Sequence, residues 1–118
     1  MARNYVNEGN TLNYTAAADT ASGDGVAIGS VLGVSLETVK SGAAGVAAIF
    51  GTFELPKLSA AVITQGEALI WDIDANKFIV ASAATGDLLN CAIATEAAGN
   101  GTSTVKARLS PGSGSISP

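Results

Sequence analysis

Histidine is missing from all 118 residues, and Cys91 is the one cysteine. Without histidine the chain cannot build a Ser-His-Asp or Cys-His catalytic arrangement, nor a histidine-containing zinc site. A lone cysteine forms no disulfide within the chain and no multi-thiolate metal cluster. Cys91 lies in the apolar run Leu88–Ala94, where burial raises a thiol's pKa, so it reads as an inert core residue. No GxxxxGK[ST] segment occurs, which removes a Walker-type phosphate loop. Charge is scarce and mostly negative: ten acidic and six basic residues give a net charge of −4. The cations Arg3, Lys40, Lys57, Lys77, Lys106 and Arg108 are scattered, and nucleic acid is held by clustered Lys and Arg, so no nucleic-acid partner is expected. Long hydrophobic runs are absent as well. The longest charge-free stretch, Ser41–Phe53, is glycine-rich and short of the roughly 20 apolar residues that span a bilayer. The polar start Met1-Ala2-Arg3-Asn4 does not read as a signal peptide. The expectation is a soluble protein made in the cytoplasm, without a membrane partner, cofactor or metal.

What is present is β-punctuation. Thr11–Thr15 alternates, placing Leu12 and Tyr14 on one face of a strand. Asp19–Gly25 collects turn formers. Val26–Ile28 and Val31–Val34 are separated by Gly29, read as a bulge or sharp bend. Val46–Leu55 is the longest strand candidate, closed by Pro56, which has no N–H to give to a ladder. Leu58–Ile63 is ambiguous, with Ser59 placed to cap a single helical turn. Glu67–Ile73, containing Trp71, and Phe78–Val80 form the clearest hairpin across Asp74–Lys77. Leu88–Ala97 is a further strand candidate. Val105, Ala107 and Leu109 face inward, with Lys106 and Arg108 outward. Short strands at this spacing indicate an all-β fold: one small antiparallel sandwich or barrel over residues 11–109. An extended N-terminal arm (residues 1–10) precedes it, and a flexible Gly/Ser-rich tail (110–118) follows. Alanine supplies much of the 47% apolar content and six residues are aromatic. Such a core buries little area per residue, so neighbouring subunits are expected to contribute to stability.

Two acidic pairs have the wrong form for a metal site. Asp72 and Asp74 share a strand face, but Asp74 opens a turn. Asp19 and Asp24 flank Ser22-Gly23-Asp24-Gly25 without the ligand spacing or closing glutamate of a calcium loop. Trp71 reads as core or as an interface anchor, the core reading being the commoner for a lone hairpin tryptophan. Tyr5 and Tyr14 serve equally as arm anchors or as ordinary strand residues.

The opening Ala2-Arg3-Asn4-Tyr5-Val6-Asn7-Glu8-Gly9-Asn10-Thr11-Leu12 resembles the start of a family of small phage and prophage proteins described as capsid cement proteins, some of which carry an old label of recombinase. The likeness continues through Ser22–Val26 and Ile28–Val34. It is strongest at Gly51-Thr52-Phe53-Glu54-Leu55-Pro56-Lys57, and returns at Gly66-Glu67 with Trp71-Asp72, at Ile93–Ala98 and at Val105–Leu109. Departures are Ile70 where tyrosine is common, Cys91-Ala92 for a usual Ile-Gly, and a longer tail. The resemblance implies a non-enzymatic structural protein on the outer capsid surface of a tailed-phage virion, partnered by the major capsid protein and tying capsomers together. It implies a homo-oligomer, with a trimer favoured by analogy and a dimer open. The expected interface residues are Arg3, Tyr5, Glu54, Leu55, Pro56, Lys57 and Trp71. Two alternatives stay open: another virion surface component, such as a fibre base or receptor-binding module, and a recombination factor, which the missing phosphate loop and acidic balance oppose.

Overall fold

The computed structural model describes residues 9–80 and 83–118, and among these the chain forms ten strands and no helix. They are β1 (Thr11–Thr15), β2 (Gly25–Ile28), β3 (Val31–Ser35), β4 (Ala44–Ala48), β5 (Thr52–Pro56), β6 (Ala68–Asp72), β7 (Lys77–Ile79), β8 (Leu88–Ala94), β9 (Thr104–Leu109) and β10 (Ser115–Ile116). An antiparallel sheet in the order β1-β4-β3-β2 packs on a second, in the order β5-β9-β8-β6-β7 with β10 beside β8. The second sheet curls until its ends meet: Lys57, just past β5, bridges Phe78 of β7, and the Leu58 N–H bonds to the Phe78 carbonyl at 2.9 Å. The all-β expectation holds, as a small sheet packed on a half-barrel.

Local chemistry accounts for the joints. β2 and β3 form a hairpin, Ile28 opposite Val31, so Gly29 (φ +59°) turns the chain over rather than bulging it, as a left-handed residue in a tight hairpin does. The expected single strand Val46–Leu55 is two strands in different sheets. Gly51 breaks it with φ +111°, a conformation that residues with a Cβ rarely adopt. Leu58–Ile63 makes a tight turn, with the Ala61 N–H on the Leu58 carbonyl, in place of the helical turn considered for Ser59. The β6–β7 hairpin is the expected one, but its organiser is Asp72: one carboxylate oxygen accepts the N–H of Asp74 at 2.9 Å and of Ala75 at 3.2 Å, an Asx-type turn. Asp24 accepts the Ala21 N–H and Asp19 the Ser41 N–H, so both loop carboxylates order backbone.

One core spans both sheets. Leu32 and Val34 of β3 join Leu55, Leu69, Trp71, Phe78, Leu88, Val105 and Leu109 in one buried cluster. Trp71 meets Phe78 edge to face, ring centroids 4.9 Å apart, a favoured aromatic geometry. Its six-membered ring lies on the backbone of β2, where a Cβ on Gly25 would stand 2.6 Å from two ring carbons. In β8 the pairing slips: Leu69 opposes Ala92 while Trp71 opposes Leu88. The extra β8 residues are accommodated by Asn90 at φ +55°. Ile70 and Cys91, two of the departures from the family pattern, both sit at this irregularity.

The segment 110–118, expected to be a flexible tail, is docked instead. β10 pairs with Leu88 and Leu89, and Ser117 exchanges backbone bonds with Gly86 and Asp87. Gly114 lies so close to the Ser30 carbonyl oxygen of the β2–β3 turn that a Cβ there would collide with it. Composition pointed to a linker, but β9 leaves β8 half-paired and the tail completes that edge.

Two outcomes follow. Gly25→Ala drives a methyl into the Trp71 ring and should lower the unfolding free energy by about 1–3 kcal/mol, the usual effect of overpacking, read from the denaturant midpoint. The second concerns Cys91, whose thiol is buried against the Leu69 and Leu88 carbonyls and is pushed by desolvation from 9.0 up to about 11. Its contribution to stability is fully present below pH 9. Above that the unfolded chain loses its thiol proton first, so stability falls as pH rises from 9 to 11, by on the order of 2 kcal/mol. Cys91→Ala should remove this part of the alkaline loss when urea denaturation is compared at pH 8 and pH 11.

Candidate functional site

The segment Glu54–Lys57 leaves the end of β5 beside β9, with Glu54 opposite Lys106 and Leu55 opposite Val105. Alternation sends Glu54 and Pro56 to the surface and turns Leu55 and Lys57 inward. Leu55 is 1% exposed and belongs to the core. Lys57 is 2% exposed, and its ammonium donates to the carbonyls of Leu58 at 2.9 Å and Ser59 at 3.3 Å. The cation expected at the surface therefore closes the curled sheet from inside, holding the turn that follows it. A buried charge is tolerated where hydrogen bonds replace water.

Of the expected interface residues, Glu54 and Pro56 stand at the surface, whereas Leu55, Lys57 and Trp71 are interior. Arg3 and Tyr5 lie outside the described residues. Trp71 is a core residue in this fold, with its indole N–H buried and lacking a hydrogen-bond partner. Glu54 and Pro56 are therefore the described members of that set with exposed side chains. What the sequence reading passed over is the apolar loop beyond Lys57, where Leu58 is 46% and Val62 60% exposed. The available signal was an uncharged run, Leu58–Ile63, that fits no strand.

A cleft of about 550 Å³ opens between the two sheets, walled by Thr15 and Ala17, by Val26 of β2, and by Pro56, Ile73 and Leu88 on the other side. Asp19 and Asp24 reach it, each already accepting a backbone N–H. Behind it, the buried Asp87 accepts the N–H of Ala84 at 2.9 Å and of Ile73 at 3.3 Å, tying the β6–β7 hairpin to the start of β8. Among the described residues no group of three or more Cys, Asp or Glu side chains is placed to hold a metal ion. The carboxylates of Asp19, Asp24, Asp72 and Asp87 thus order the chain's own backbone.

No curated protein and no solved structure matches the chain. The sequence model of a family described as phage cement protein matches residues 6–109, which takes in every strand from β1 to β9. The chain belongs to the phage cement protein family, structural proteins associated with the phage capsid.

Proposed function

We propose that the protein binds the outer surface of an assembled phage head, on the major capsid protein, and stabilises the contacts between neighbouring capsomers. The family match over residues 6–109 carries this reading. The fold suits it: a curled, self-closing sheet needs no partner to complete its core, and displays Glu54, Pro56, Leu58 and Val62 around the closure point. The segment Ala2–Asn10, with Arg3 and Tyr5, acts as an arm that reaches the shell or a neighbouring copy. Many copies, each bound weakly at several points, hold a shell because one engaged contact raises the effective concentration for the next.

Purified protein added to heads that lack it should appear by electron cryomicroscopy as density on the outside, at junctions between capsomers. Density at the tail or inside the shell would overturn the proposal. Removing residues 2–8 should weaken decoration while leaving the melting temperature nearly unchanged.

The charged pair around Pro56 separates shell binding from folding. Glu54→Lys should lower particle occupancy with little change in thermal stability, as expected of an exposed charge. Lys57→Ala takes the ammonium from the Leu58 and Ser59 carbonyls, which keep the Ala61 and Gly101 N–H groups, and empties the space its buried stem fills, so it should destabilise the protein by about 1–3 kcal/mol. The protein that remains folded should still bind.

A further inference from the structure

β1 is the last strand of its sheet among the described residues. Its pairing with β4 fixes which groups face outward. The Asn10 carbonyl takes the Ile49 N–H, and the Ala16 N–H goes to the Ala43 carbonyl, so even-numbered positions bond to β4 in the register Leu12 to Ala47 and Tyr14 to Gly45. Antiparallel alternation then directs the N–H and C=O groups of Thr11, Asn13 and Thr15 away from β4. All three residues are exposed.

Natural proteins protect such edges with charge, proline or a bulge. This one has none of these: from Gly9 to Ala18 the chain carries no charged residue and no proline, and β1 pairs with β4 without a register shift. Thr, Leu, Asn, Tyr, Thr is also close to a palindrome. Run antiparallel against itself about Asn13, it sets Thr11 opposite Thr15, Leu12 opposite Tyr14, and Asn13 opposite Asn13 of the second copy. In that register the three residues with outward-facing backbone groups meet one another, so each exchanges both hydrogen bonds. The Thr–Thr and Leu–Tyr pairs are favourable cross-strand neighbours.

We propose that the open edge of β1 is the interaction surface for a second copy of this chain, joined β1 to β1 in antiparallel register about a twofold axis at Asn13. The two four-stranded sheets then run on as one. Such an interface is self-complementary, as a twofold contact must be, and differs from the threefold arrangement that analogy favours. A five-residue ribbon is short, so the association is weak and shows at high protein concentration. The pairing does not depend on shell binding and is read in solution, so its failure leaves the placement on the head standing.

Sedimentation equilibrium of the full chain should show one copy passing to two with concentration. Asn13→Lys sets two ammonium groups opposite each other and should raise the dimer dissociation constant at least tenfold, with the melting temperature unchanged. Asn13→Cys should give a disulfide-linked dimer under mild oxidation, because bonded antiparallel partners lie about 5.5 Å apart at Cα, within reach of a disulfide. Thr11→Cys should not, since its counterpart lies four residues along the strand, about 13 Å away. A chain that stays single at all concentrations, a trimer, a dimer unaffected by Asn13→Lys, or equal cross-linking from Thr11→Cys would each overturn the proposal. So would a chain that remains single in solution while Asn13→Lys abolishes particle binding, which would give the edge to the shell.

Discussion

The contact between the Trp71 ring and the backbone of Gly25 joins the two halves of this fold. β6 and β2 belong to different sheets, and among the described residues no main-chain ladder connects those sheets. Their union depends on side chains crossing the gap: Trp71 reaching β2, and Leu32 and Val34 of β3 meeting the half-barrel core. An indole is the largest apolar group available, and burying one contributes several times what an alanine does at about 25 cal/mol per Å². In a core where Ala47, Ala92, Ala94 and Ala107 supply little area, that single ring carries a large share of the sheet-to-sheet packing. It fits because residue 25 has no side chain. Phe78, packed against the other edge of the indole, fixes its rotamer from behind.

Around that contact the chain closes itself with polar groups held inside. Lys57 ties down the turn after β5 where the curled sheet meets β7, and Asp87 collects backbone N–H groups beneath the β6–β7 hairpin. The C-terminal strand then fills the open length of β8 and wedges Gly114 against the Ser30 carbonyl, a second tie between the sheets at the opposite end of the core. Both side chains are satisfied by main-chain groups, Lys57 by the two residues that follow it and Asp87 by Ala84 and the more distant Ile73. Removing a partner would expose the desolvation cost that those bonds now offset.

Alternation made β9 legible. Val105, Ala107 and Leu109 point inward and Lys106 and Arg108 outward as period two requires, and the hairpin around Asp74–Lys77 stands where its turn residues put it. Sequence reasoning failed where one glycine decides between continuing and turning. Gly51, at φ +111°, splits what reads as a single strand into two that join different sheets, whereas Gly29 makes the sharp bend that was one of its two readings. At the expected interface the motif Glu-Leu-Pro-Lys was visible, but the direction of Lys57 was not. A lysine after a proline reads as solvated unless one knows that the following loop folds back to offer two carbonyls. The tail misled in the same way. Its Gly and Ser content speaks for a loose chain, and only the vacant length of β8 gives it a place.

The two sheets divide the labour of a protein that works by holding on. The half-barrel joins its own ends at one point, where Lys57 meets Phe78, and β10 pairs with the first residues of β8. The small sheet is the reverse. It ends in β1 on one side and β2 on the other, with an alanine-rich middle that contributes little stability of its own. A sheet of this kind gains most from a neighbour that continues its ladder, whereas the half-barrel already brings its two end strands together at Lys57 and Phe78. An added strand is therefore cheapest at β1, while the half-barrel presents side chains, Glu54, Pro56, Leu58 and Val62 among them, rather than a ladder. The Trp71–Gly25 contact lies in the packed seam between the two sheets, so it sets how one is held against the other.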